Sequence, residues 1–299
     1  MTTLYEANPV QGPLSWIVSR VTLLALFGTT LFYWIIVPVA IYLIYTFQTW
    51  IGATLLFILL ASPWWPGTTH WPAFASSYGF DTWRSYFSFK VIQHGNVQLP
   101  DGAIYVAVPH GLFPMALPMM AGVWSKCFPL HKQTPVAAIA SSLFYVPLLS
   151  PMLRWLGCIP ATKEAMTRTL EVGQSVFLLP DGIAGAFCSD RGREVLYIRK
   201  RYGFVKLAHA TGKPIVPVYV TGHTQLFDLI TGPDSFFARL SRMVGFSIIL
   251  YRNMLPYRSP VTLVMGEPIE LRKSVEETHA VFLERIQLLY SGGSTLVLV

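Results

Sequence analysis

The sequence predicts a mixed α/β fold, with a mostly parallel sheet flanked by helices, behind an N-terminal transmembrane helical hairpin. Two observations lead to this prediction. No Lys, Arg, Asp or Glu lies between Arg20 and Asp81, and 53% of the 299 residues are hydrophobic against 12% charged. After Asp81, short apolar runs alternate with segments of helical periodicity, which is typical of an α/β layer fold. The composition is too apolar for an ordinary soluble enzyme, so part of the chain is expected in lipid.

The hairpin is the first expected element. Residues 21–45 and 51–61 are almost wholly apolar, and roughly 20 such residues cross a hydrocarbon layer about 30 Å thick. The segment 14–61 is therefore long enough for two helices, with a break expected near Pro38. One spanning helix with a re-entrant or interfacial piece is the alternative. A cleavable signal peptide does not fit, because a basic start is missing and the apolar part is too long.

The predicted organisation has three parts: a membrane hairpin over 1–61, an interfacial connector rich in Trp and Pro over 62–90, and an α/β domain over 91–299. Tryptophan suits the boundary between membrane and water. Apart from Arg20, every Lys and Arg follows Asp81, which favours a cytosolic domain. The basic excess suits an anionic membrane face or a phosphate-bearing ligand. Three cysteines without metal-type spacing argue against a disulfide framework or a metal site. No nucleic-acid motif is present, so that partner is not expected.

The elements of the α/β domain follow one another along the chain. Strands are expected at 104–108, 136–140, 158–160, 175–179, 215–220 and 261–265. Helices are expected at 148–156, 162–172, 199–211 and 274–290. Gly157, Gly173 and Gly212 follow the first three helices as C-terminal stops, and Ser274 with Glu277 forms a capping box for the last.

The first of these strands ends in Val108-Pro109-His110-Gly111. An imidazole held at a strand end can accept a proton from an alcohol. Alone, such a histidine is more often structural than catalytic. The segments that follow His110 along the chain favour the catalytic interpretation.

Several segments, in order, resemble the glycerolipid acyltransferase superfamily and most closely its type-2 diacylglycerol acyltransferase branch. Pro109-His110-Gly111 is similar to the branch's His-Pro-His-Gly signature, and the segment 198–208 is similar to its Arg-x-Arg-x-Gly-Phe-Val-Lys segment. The resemblance covers about two thirds of the chain, and the hairpin by position. The other similar blocks are 156–160, 179–182, 215–218 and 266–269.

The resemblance implies a membrane-bound O-acyltransferase that transfers an acyl group from acyl-CoA to a neutral lipid alcohol, with diacylglycerol as the expected acceptor. His110 would act as general base without a covalent acyl-enzyme, and Gly111 would let backbone amides approach the substrate. The expected catalytic residues are Pro109, His110, Gly111, Asp181 and Gly182. The expected substrate-binding residues are Arg199, Lys200, Arg201, Gly203, Phe204 and Lys206. The four basic residues among them would hold the CoA phosphates.

The resemblance also implies further properties. No cofactor and no metal are expected, since acyl-CoA is the donor substrate. Membrane lipids are expected partners, self-association is left open, and the expected location is the endoplasmic reticulum, with the plastid envelope as an alternative.

The sequence departs from the family pattern at two places near His110. Val108 replaces the first histidine of the signature, and Met115 stands where the wider superfamily has an Asp that orients the imidazole. His110 must then take its tautomer from a backbone carbonyl or from another carboxylate, for which Asp181 is the candidate.

Three further departures concern the acceptor. Ile183-Ala184 replaces a Thr-Arg pair whose Arg holds the phosphate of lysophosphatidate-like acceptors, so a neutral acceptor is expected. Gly185 and His223 stand where the branch has Glu.

Other interpretations stay open. Monoacylglycerol, a long-chain alcohol or a lysophospholipid could replace diacylglycerol as acceptor, and a non-catalytic membrane-anchored lipid-binding protein is an alternative of another class. Asp181 could simply cap a turn, and the basic segment 191–206 could be a solvated face. The remaining histidines are interpreted as structural, exposed or interfacial: His70, His94, His131, His209 and His279.

Overall fold

The computed structural model describes residues 1–47, 50–65, 70–245, 247–290 and 296–299. The helices in this part of the chain are α1 (Pro13–Phe47), α2 (Trp50–Ala61), α3 (Pro72–Ala75), α4 (Tyr78–Tyr86), α5 (Ala116–Ala121), α6 (Trp124–Cys127), α7 (Leu149–Trp155), α8 (Lys163–Glu171), α9 (Gly182–Phe187), α10 (Gly203–Thr211), α11 (Phe236–Val244) and α12 (Val275–Leu289). Short 3₁₀ helices span Ser62–Trp64, Ser141–Tyr145 and His223–Gln225.

The strands are β1 (Thr2–Glu6), β2 (Lys90–Gln93), β3 (Ile104–Val108), β4 (Val136–Ile139), β5 (Ile159–Pro160), β6 (Val176–Leu178), β7 (Glu194–Leu196), β8 (Ile215–Thr221), β9 (Thr262–Met265) and β10 (Leu296–Leu298). Within the described residues, eight of them form one sheet in the order β1-β2-β9-β8-β3-β6-β4-β5, and β10 pairs with β7. Only the β1–β2 and β8–β9 pairings of that sheet are antiparallel. The predicted mixed, mostly parallel sheet flanked by helices is confirmed.

The predicted strands are all present, with ends shifted by at most two residues, but four strands of the structure were not predicted. These are β1, β2, β7 and β10. The predicted helix over 199–211 starts later, at Gly203, because Ile198 O accepts a bond from Arg201 N in a turn. The other predicted helices agree closely, and Thr162 and Ser274 accept the N-capping bonds of α8 and α12.

The central strands are buried on both faces, as expected for parallel strands covered by helices. Every residue of β3 is buried, and its alternate side chains enter two separate hydrophobic clusters. One cluster contains Tyr105 and Ala107 and is covered by α4 and α5, and the other contains Ile104 and Val106 and is covered by α10 and α12. The sheet therefore lies between two helical layers.

The N-terminal helices differ from the expected transmembrane hairpin. α1 continues through Pro38 instead of breaking there, since a proline removes one backbone bond of the helix while its neighbours keep theirs. The first half of α1 packs on the α/β domain: Leu23 and Phe27 are buried in its core, and Trp83 Nε1 donates to Thr22 Oγ1 at 2.7 Å. Among the described residues, no helix has the length and apolar character needed to cross a membrane.

Candidate active site

Three neighbouring parallel strands, β6, β3 and β8, end at the same edge of the sheet. His110 follows the end of β3, Asp181 follows β6, and His223 follows β8. Because the carboxyl ends of parallel strands converge, three residues that are far apart in sequence meet at this edge. Contacts between them define the site.

His110 is half-buried, and its turn is held from two directions. Its Nδ1 lies 2.8 Å from the carbonyl oxygen of Gly111, and its backbone N donates to Asp181 Oδ2 at 2.8 Å. A carbonyl oxygen can only accept, so Nδ1 carries the proton, and in the neutral ring Nε2 then presents its lone pair. Within the described part of the chain, Nε2 makes no hydrogen bond. The imidazole is thus in the tautomer that a general base requires.

Asp181 is fully buried and serves the backbone of the site. Oδ2 accepts from His110 N, and Oδ1 accepts from Gly182 N at 3.1 Å. Burial raises the pKa of its carboxyl, and the neighbouring His110 side chain and the backbone donors partly oppose that shift. A backbone carbonyl and Asp181 were the two groups expected to orient the imidazole. In the structure the carbonyl of Gly111 contacts the ring, and Asp181 bonds to the backbone of the turn.

Gly185 explains one departure from the family pattern. A Cβ at this position would lie 2.4 Å from Asp181 Oδ2 and 2.5 Å from its Cγ. No side chain fits there while Asp181 keeps its place, so a Glu at position 185 and this position of Asp181 exclude one another.

His223 was not predicted as a site residue, yet it lies at the centre of the site. It is 1% exposed; its Nε2 accepts from Ala116 N at 3.0 Å, and its Nδ1 donates to the Pro109 carbonyl at 3.1 Å. Burial lowers the pKa of His223 to about 4, so the ring is neutral at physiological pH. It joins the turn before His110 to the start of α5. Its place two residues after a strand parallel to β3 was the signal that could have identified it.

Gly111 has a backbone conformation that explains its presence beside His223. Its φ is +64°, and a Cβ would lie 2.9 Å from both Cβ and the carbonyl oxygen of His223. The absent side chain therefore allows the two turns to pack against one another.

A cavity of about 290 Å³ adjoins this site. Asp181 forms part of its wall, so the cavity borders the turn of His110. Its lining residues are Pro180, Asp181, Gly182, Ile183, Ala184, Arg201 and Arg242. Arg242, on α11, was not predicted, since it lies far from Arg201 along the chain and in no motif.

The predicted substrate-binding residues are only partly brought together. Arg201 lines the cavity, whereas Arg199 and Lys200 are exposed on the turn before α10. Gly203 begins α10 and Lys206 is exposed on it. Phe204 is buried in the core, with its ring 4.7 Å from that of Phe282.

In the part of the chain that the structure describes, no group of three or more His, Cys, Asp or Glu side chains is placed to hold a metal ion.

Known proteins resemble this chain in sequence and in fold. A family model described as "Diacylglycerol acyltransferase" matches residues 40–292. The chain is 26% identical to mouse "Diacylglycerol O-acyltransferase 2-like protein 6" over 215 residues, which are 64% of this chain and 63% of that protein. It is 27% identical to human "2-acylglycerol O-acyltransferase 3" over 238 residues, 69% of each.

A solved structure shares the fold. The 1-acyl-sn-glycerophosphate (LPA) acyltransferase PlsC from Thermotoga maritima matches with a TM-score of 0.50 at 18% identity, over 92% of this chain and 95% of that one.

Proposed function

Because the chain belongs to the diacylglycerol acyltransferase family, we propose that it is an acyl-CoA-dependent O-acyltransferase that forms a neutral lipid ester. The observation that carries this proposal is the state of His110: Gly111 fixes the proton on Nδ1, and Nε2 is unpartnered among the described residues. Acyl-CoA is the donor substrate, and the reaction as proposed needs no cofactor and no metal.

The proposed reaction is a direct transfer. Nε2 of His110 takes the proton of the acceptor hydroxyl as that oxygen attacks the thioester carbonyl, and a tetrahedral intermediate forms. Its collapse breaks the carbon–sulfur bond, and the CoA thiolate leaves with the proton that His110 returns. The turn that carries His110 is kept in place by Pro109, Gly111, Asp181 and Gly182. The Pro109 carbonyl accepts from His223, and Asp181 accepts from the backbone N–H groups of His110 and Gly182.

The proposed acceptor is diacylglycerol, which gives triacylglycerol. Ile183 and Ala184 line the cavity at the two positions where the resemblance places the Thr-Arg pair of phosphate-acceptor relatives, so the arginine of that pair is replaced by an apolar side chain. The name of human 2-acylglycerol O-acyltransferase 3, a relative of this chain, specifies an acylglycerol acceptor and supports the same class of acceptor. Monoacylglycerol is the second candidate for this reason.

We also propose attachment to a membrane through the exposed apolar side chains of the segment 1–61 and the connector 62–90, with the α/β domain on the cytosolic side of the endoplasmic reticulum. Large apolar side chains are exposed there: Trp50 is 88% exposed, Phe57 73% and Trp64 69%. A soluble protein rarely leaves such a patch in water. Extraction with carbonate at high pH tests this attachment, and complete release of the chain would contradict it.

The decisive experiment measures turnover by the purified protein in mixed micelles. Labelled acyl-CoA is offered with diacylglycerol, monoacylglycerol or a long-chain alcohol, and His110→Ala is compared with the wild type. Loss of a general base is expected to lower kcat by roughly 100- to 10,000-fold. His94→Ala is the matched control, because His94 lies outside this site. Near-normal turnover by folded His110→Ala would refute the mechanism.

A further inference from the structure

Two arginines face the cavity beside Asp181 without a carboxylate partner. Arg201 and Arg242 both line it, and among the described residues neither forms an ion pair. Arg201 has a buried Nε–H without an acceptor in the described structure, and its guanidinium carbon lies 4.9 Å from the centre of the Tyr197 ring. Arg242 donates from Nη1 to the Pro233 carbonyl at 3.3 Å. Both groups therefore keep unused donors.

Helix α11 holds Arg242 at the cavity. Ser235 caps the start of the helix by accepting from Ala238 N, and Gly245 ends it in the left-handed conformation. Ala238 and Ser241 are fully buried, and the helix packs against α9, whose first residues line the cavity. The position of Arg242 thus follows from the packing of its helix.

We propose that Arg201 and Arg242 together bind one phosphate group of a substrate in this cavity. Two guanidinium groups offer the positive charge and the paired N–H donors that a phosphate group binds, and an apolar side chain offers neither. Ile183 and Ala184, which replace the Thr-Arg pair, line the same cavity, but the two arginines come from other elements of the fold. The proposal rests on the proposed acyl transfer but not on the neutral acceptor.

Two substrates of such a reaction carry phosphate, and binding experiments distinguish them. CoA is compared with phosphate-free pantetheine, and a short-chain lysophosphatidate with the corresponding monoacylglycerol. Calorimetry with the full-length chain gives each Kd for the wild type, Arg201→Gln and Arg242→Gln. Arg239→Gln is the matched control, because Arg239 lies one turn earlier on α11, outside the cavity lining.

The expected result is a Kd that rises roughly 10- to 100-fold in both cavity variants for one phosphate-bearing probe. The phosphate-free counterpart and the Arg239→Gln variant should bind as before. The affected probe identifies the source of the phosphate as the donor or the acceptor. Values within twofold of the wild type for both CoA and lysophosphatidate would overturn the proposal.

Two further measurements keep the test sharp. Arg242→Lys retains the charge but loses the fork, so it should lie between wild type and Arg242→Gln, and it replaces that variant if the glutamine protein fails to fold. Binding is measured without turnover. An inactive wild type that still binds phosphate through Arg242 would therefore refute the proposed acyl transfer and leave the phosphate site standing.

Discussion

Replacing His223 by alanine is predicted to loosen the turn that carries His110. The imidazole satisfies the Ala116 N–H and the Pro109 carbonyl, and all three residues are buried. Each of these two backbone groups would lose its partner away from water, at a cost of about 1–3 kcal/mol. The free energy of unfolding should therefore fall by about 2–6 kcal/mol, which is a large part of the stability of an ordinary domain.

His223→Gln is the informative companion, because an amide offers one acceptor and one donor in place of the two ring nitrogens. It should recover part of the stability and part of kcat, whereas His223→Ala should lose both. Chemical unfolding in detergent and steady-state kinetics check these outcomes. If His223→Ala unfolds and turns over like the wild type, the ring does not hold the catalytic turn.

The pH dependence separates the histidine from its glutamine substitute. Burial lowers the pKa of His223 from 6.5 to about 4, so between these values the unfolded chain binds a proton that the folded chain excludes. The neutral ring contributes fully to the free energy of unfolding above pH 6.5. This contribution, about 3 kcal/mol in all, is lost as the pH falls toward 4. The difference in the free energy of unfolding between wild type and His223→Gln should therefore become smaller as the pH falls from 6.5 to 4. A constant gap would contradict the neutral, buried imidazole.

Three further predictions concern the proposed substrates and the buried carboxylate. Replacing Arg199 and Arg201 by alanine should raise the apparent KM for acyl-CoA more than that for the acceptor. The share of the exposed Arg199 should shrink in high salt because exposed charges are screened; unchanged acyl-CoA kinetics would show that neither arginine binds acyl-CoA. Gly185→Ala should displace Asp181, whose Oδ2 lies 2.4 Å from the new Cβ, and lower kcat, whereas Gly192→Ala is the control, with its nearest contact at 3.4 Å. In competition for labelled acyl-CoA, diacylglycerol should outpace lysophosphatidate, and faster formation of phosphatidate would disprove the neutral acceptor.

Much of the sheet could be predicted because its central strands are continuous apolar runs that end in Pro or Gly. Such runs identify β3 and β6, and because these strands are parallel neighbours, His110 and Asp181 lie at one edge of the sheet. The short strands β7 and β10 could not be predicted in this way. They pair with each other across about 100 residues, and each has only three residues. Their pairing depends on the folded domain rather than on local pattern.

The N-terminal region shows a second limit of sequence reasoning. Lipid and a protein core both favour apolar residues, so the composition of α1 cannot distinguish them. Leu23 and Phe27 lie in the core of the α/β domain, although the same stretch was expected to cross a membrane. Arg242 shows a third limit, because only the packing of α11 brings it to the cavity of Arg201.

Strand β1 has a practical consequence for anyone who shortens this protein. It pairs antiparallel with β2 ahead of the apolar helices, and Ala7 N also bonds to Phe89 O. Deleting the whole segment before the connector would remove an edge strand. The edge of β2 that faces away from β9 would then be unpaired, and strands of other molecules could add there. An internal excision of residues 28–61, with a flexible bridge from Phe27 to Ser62, would keep β1 on β2 and would keep Leu23 and Phe27 in the core. The edge strand of the sheet is thus encoded before the apolar helices. A shortened gene must therefore keep the codons of β1 and lose codons from within the helical segment.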